Sequence, residues 1–76
     1  MITTAREKMS KARTTLVMDF PFWGALSLRS DLIEDATCKT AYTDGVNIGY
    51  NPTWILGLTF AECVGLVAHE VAHIAL

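Results

Sequence analysis

Two cysteines, two prolines and no run of lysine or arginine set the first limits on this 76-residue chain. Cys38 and Cys63 have neither the close spacing of a zinc knuckle nor the density of a disulfide scaffold, so both are expected to be reduced, packing thiols. A formal charge of −2 gives no basic footprint for nucleic acid or an acidic lipid surface. No apolar run approaches the roughly 20 residues of a membrane-spanning helix, because His69 and Glu70 divide the most hydrophobic segment. Behind the charged stretch Arg6 to Arg13, Asp19 and Pro21 interrupt the apolar region that a secretion signal needs. The expectation from these absences is a cytoplasmic protein with neither nucleic acid nor membrane as partner.

What is present is apolar: 51% of the residues are hydrophobic, too many for disorder. One domain, residues 1–76, is the most that this length allows. A chain so short buries only about 60% of the surface its unfolded form exposes, so help from a metal, a partner or further sequence is expected.

Thr4-Ala5-Arg6-Glu7 fits the S/T-x-x-E capping box, and Ala5, Met9, Ala12 and Leu16 follow as one apolar stripe. A helix is expected from residue 5 to about residue 18, ended by Pro21, with Glu7 and Lys11 paired on its outer side and its stripe on a sheet. From Ala25, Leu26, Leu28 and Leu32 alternate with Ser27, Arg29 and Asp31, the period of a strand, broken only at Ser30. In "TAYTDGVNIGYN" the pair Asp44-Gly45 reads as a two-residue type I′ turn. It would set Thr43 opposite Val46 and Ala41 opposite Ile48, with Ala41, Val46, Ile48 and Tyr50 on one face. Asn51-Pro52 marks a turn before a short helical segment burying Trp54 and Ile55. Thr59 to Glu62 is a second capping box, opening a helix that runs to the chain end. Trp23, Trp54 and Phe60 are expected in the core. The fold class is therefore α+β: an N-terminal helix, a small three-stranded sheet with a β-hairpin, and a C-terminal helix.

That last helix carries the chemistry. His69-Glu70-Val71-Ala72-His73 is H-E-x-x-H, and both histidines of the chain fall in this window. At 100° per residue they lie about 40° apart around the axis and one turn apart along it, so their imidazoles can share one metal ion. In a zinc site of this design a third protein ligand completes the set, and a water fills an open position with its pKa lowered to about 7. Glu70, beside the pair, is the candidate general base. Two histidines spaced by chance are the plain alternative. Against it, Val64, Val67, Ala68, Val71, Ile74 and Ala75 make the helix apolar over most of its circumference, where an ionised Glu without a partner costs several kcal/mol.

"HEVAH" on an apolar helix, after a capped start and a hairpin, looks like the zincin metallopeptidases. The span "KARTTLVMDFPFWGALSL…TAYTDGVNIGYNP…LVAHEVAHIAL", about Lys11 to Leu76, resembles the metallopeptidase domain that stands ahead of a von Willebrand factor A-like domain in bacterial and phage proteins. The resemblance implies a zincin-like N-terminal subdomain, Zn2+ held by His69 and His73, hydrolysis of a peptide or protein substrate, and a von Willebrand factor A-like domain as C-terminal neighbour. It also implies a third ligand downstream of the motif, so the chain is expected to be the front portion of a longer product. Glu62 lies about 10 Å along the axis from His69, too far to share the ion. Asp19, Asp35 and Asp44 stay open as ligands. By similarity to the edge hairpin of thermolysin-like enzymes, the Thr40 to Thr43 strand, with Thr40, Ala41 and Tyr42 foremost, is the candidate to bind substrate as an added strand; an ordinary packing hairpin is the alternative. The competing function is a non-catalytic or partner-completed interaction module that retains a metal-binding helix.

Overall fold

The computed structural model describes residues 4–75. In chain order it contains α1 (Ala5–Asp19), α2 (Pro21–Ser27), β1 (Leu32–Glu34), β2 (Ala41–Thr43), β3 (Ile48–Tyr50), α3 (Pro52–Leu56) and α4 (Phe60–Ala75). Helices plus one small mixed sheet make it α+β, as the sequence patterns indicate.

Thr4 caps α1 by accepting a 3.1 Å bond from the Glu7 amide. Ala5, Met9, Ala12 and Leu16 are all buried, but α1 packs chiefly along α4, α2 and α3 and meets the sheet mainly at β1. Alanine at two of the stripe's four positions lets a second helix approach closely. Glu7 and Lys11 do not pair; the ion pair among the described residues joins Arg6 to Glu34 at 3.9 Å.

The strand expected from Ala25 is not there. Pro21 begins α2 at the first helical position, where its missing N–H costs nothing, and the chain stays helical through Ser27. Seven residues are too few for the helical period to declare itself, so the alternating leucines were misleading. Leu28 is 62% exposed, and strand geometry begins only at Leu32.

The sheet order is β1-β3-β2, with β1 parallel and β2 antiparallel to the central β3. All of β3 is buried. The hairpin forms with a different register: Thr43 opposes Ile48 and Ala41 opposes Tyr50, leaving Asp44 to Asn47 as a four-residue loop. A type I′ turn needs positive φ at both central residues, and only Gly45 has it (φ 93°). The Asp44 carboxylate instead accepts the amides of Val46 at 2.9 Å and Asn47 at 2.7 Å, which holds the wider loop. A slip of two residues preserves the face on which each side chain lies. Ile48 and Tyr50 are therefore buried and Ala41 packs against them, while Val46, expected on that face, is 63% exposed in the loop.

Asn51 caps α3 through a 3.0 Å bond from the Trp54 amide. Ile55 is fully buried and Trp54 half-buried. The second capping box closes in both directions: Thr59 accepts from the Glu62 amide at 3.1 Å, and Glu62 accepts from the Thr59 amide at 2.8 Å. Lys8 of α1 donates its ammonium to the Leu56 and Leu58 carbonyls, tying α1 to the turn between α3 and α4. Trp23 packs against the core, whereas Phe60, expected inside, is 43% exposed. Both cysteines are free thiols; Cys63 is buried and Cys38 half-buried. No helix among the described residues is long and apolar enough to cross a membrane.

Candidate metal centre

Helix α4 buries Cys63, Val67, Glu70 and Val71. These fall on one side of a 100° wheel, toward α1, α2 and the sheet. His69 and His73 emerge on the other side and are exposed. The packing that buries the aliphatic stripe thereby fixes where the imidazoles stand.

The two rings meet edge to face at 86°, with centroids 4.5 Å apart. Their Nε2 atoms lie 3.0 Å from each other. Two imidazole nitrogens bound at about 2.05 Å to a tetrahedral zinc would stand about 3.3 Å apart. The pair is thus within a few tenths of an ångström of the separation that a shared cation imposes, and both nitrogens remain open to solvent on the outer side.

Glu70 is 7% exposed, and its carboxylate takes no protein hydrogen bond among the described residues. Ser30 Oγ, by contrast, is fully enclosed without a partner; the Glu70 oxygens are not in that state. Most of Glu70 is therefore packed against the core side of α4.

Three of the other acidic candidates, Asp35, Asp44 and Glu62, are otherwise engaged. Asp35 accepts from the Thr37 amide and hydroxyl and from the Tyr42 hydroxyl; the Thr37 side-chain bond is the foremost cause holding its carboxyl below the usual range. Asp44 is held low by the amides of its own loop, Asn47 first. Glu62 is held low by its capping bond from the Thr59 amide. Among the described residues no three of His, Cys, Asp and Glu come together around a point that could hold a metal.

Strand β2 is an edge of the sheet and packs beside α4. Asp44 donates its amide to the Asn47 carbonyl, and Asn51 donates to the Thr40 carbonyl. Hydrogen-bonded pairs alternate in an antiparallel ladder, so Tyr42 bonds inward to Gly49 while the main-chain groups of Ala41 and Thr43 point to the open edge. Of the strand Thr40 to Thr43 expected to take substrate, Ala41 and Thr43 offer their backbone outward, while Thr40 and Tyr42 are bonded inward to β3 and its continuation. Tyr42 lies across Gly49 on the uncovered face of the sheet: a Cβ on that glycine would stand 2.2 Å from the ring.

The outer helix of this short α+β domain thus presents both histidines of the H-E-x-x-H segment side by side. The sequence matches, over residues 4–76, the family described as "putative metallopeptidase domain", and the chain belongs to that family. Membership implies a metal ion, and the paired Nε2 atoms fit one. No curated protein and no solved structure matches the chain.

Proposed function

We propose that the protein is a zinc-dependent peptidase of the zincin type, with His69 and His73 as metal ligands and Glu70 as general base. The observation that carries this reading is the 3.0 Å approach of the two Nε2 atoms on an exposed helix face. Imidazole ligands suit zinc among the first-row metals. Zinc, when bound, supplies the Lewis acidity that makes water nucleophilic near neutral pH and polarises a carbonyl. Glu70 takes the proton from the attacking water and delivers it to the leaving amine nitrogen. The outward amide and carbonyl groups of Ala41 and Thr43 bind the peptide as an added strand, with Thr40 and Tyr42 flanking it.

The substrate class is a peptide or protein, the compartment is cytoplasmic, and the C-terminal neighbour in a longer product is a von Willebrand factor A-like domain. The specific observation favouring a second reading is that the described residues bring no third ligand to the histidines. In that reading a partner completes the site, or the metal helix serves a non-catalytic interaction module.

The experiment is peptide hydrolysis by the zinc-loaded protein and its Glu70→Gln variant. Zinc near one equivalent, with hydrolysis lost in the variant, is the expected result. Zinc binding without any Glu70-dependent cleavage would leave the interaction module as the function.

A further inference from the structure

A cavity of about 300 Å3 opens between α1, α2 and α4, lined by Leu16, Phe20, Trp23, Val64, Gly65 and Ala68. Leu16 is its buried floor, and Phe20, 54% exposed, stands at its rim. Every lining side chain is apolar, so its contents gain by leaving water and need no hydrogen bond.

Its place on α4 gives it a meaning. Gly65 precedes His69 by one turn and lies about 40° from it around the axis, so the glycine belongs both to the cavity wall and to the stripe bearing the metal ligands. Nothing stands within 4 Å of where a Cβ on Gly65 would be. The cavity wall at Gly65 is therefore unobstructed, one turn from His69 on the same stripe. Gly65 is about 6 Å from His69 along the axis, and an extended peptide advances about 3.4 Å per residue. A substrate held at the histidines thus brings a side chain to this wall one or two residues from the reacting carbonyl.

From this we infer that the cavity is a specificity pocket, taking a large apolar side chain such as leucine, methionine or phenylalanine of the peptide substrate. The inference rests on the peptidase reading above. It makes Gly65 the gate residue and Trp23 the reporter.

The test has two arms, on the full chain. In the first, metal-free 15N-labelled protein is titrated with N-acetylphenylalaninamide, N-acetylleucinamide and N-acetylalaninamide. The Gly65 and Ala68 amides and the Trp23 indole N–H are followed, with the Trp54 indole as internal reference. Saturable shifts with the two large amides, absent with the alanine amide and weakened about tenfold or more by Gly65→Leu, are expected. No shift, or equal shifts at Trp54, would overturn the assignment. So would the same shifts produced by raising protein concentration alone, because a second copy would then be the occupant. Thermal melting shows whether Gly65→Leu still folds, and Gly65→Ala supplies a milder narrowing.

In the second arm the zinc-loaded chain is offered peptides with Phe or Ala near the scissile bond. The Phe/Ala ratio of kcat/KM should fall about tenfold or more in Gly65→Leu. Hydrolysis with an unchanged ratio sinks the pocket and spares the peptidase. Saturable shifts without Glu70-dependent hydrolysis sink the peptidase, and the cavity is then no substrate pocket.

Discussion

Gly24 of α2 sits against the backbone of Val17 in α1: a Cβ at position 24 would stand 2.2 Å from the Val17 Cα. Main chain meets main chain here, and neither side can yield as a flexible side chain would. Gly24→Ala should therefore destabilise the fold by at least about 3 kcal/mol, despite alanine's better helix propensity. Gly65→Ala, in α4 with open space around it, should stabilise by about 1 kcal/mol. Urea denaturation of the two variants checks the opposite signs, with unchanged m-values confirming that the folded state is the one affected.

Zinc should raise the melting temperature, because it binds the ordered histidine pair and an unfolded chain holds the two rings at no fixed separation. At free zinc a hundredfold above Kd the gain is about 2.7 kcal/mol, a shift of about 10 °C or more for a domain of this size. His69→Ala and His73→Ala should each weaken zinc binding by more than about tenfold, measured by competition with a chelator. Glu70→Gln should bind zinc as the parent does, since Glu70 is proposed as base and not as ligand. An affinity unaffected by His73→Ala would end the two-histidine site.

Acid should weaken the fold through its caps. Glu62 and Asp44 have folded pKa values below their ordinary 4.5 and 3.8, each held down first by a backbone N–H it accepts. A depressed carboxylate contributes stability that is fully present above the unfolded value and is lost as pH falls through the folded one. Stability should thus decline below about pH 4.5, the ordinary value for glutamate. Glu62→Gln and Asp44→Asn should flatten that decline, because neither amide titrates. Denaturant midpoints measured across this range for the parent and the double variant decide it.

Thr59→Ala removes the hydroxyl that accepts the Glu62 amide. The loss at an N-cap is about 1 kcal/mol, and it should appear as faster amide exchange in the first turn of α4. His69 lies more than two turns further on, so zinc affinity should hardly change.

The single-helix features were legible in the residues themselves. Capping boxes at Thr4 and Thr59, the stripe Ala5–Met9–Ala12–Leu16 and the four-residue spacing of His69 and His73 all act within a turn or two, where sequence distance and spatial distance coincide. The face shared by Ala41, Ile48 and Tyr50 was legible for a similar reason, since a two-residue slip leaves side-chain parity intact. What the residues could not declare was anything settled across the chain. Tertiary packing of Gly24 on Val17 made a helix of a segment with strand-like alternation. Two amides on the Asp44 carboxylate widened the hairpin loop, and α1 chose α4 and α2 over the sheet. The order β1-β3-β2 put β2 on the edge, and the meeting of three helices made the cavity beside Gly65. Local hydrogen bonds and periodicity determined which residues could bind a metal; only the burial of one side of α4 decided that both imidazoles would face outward together.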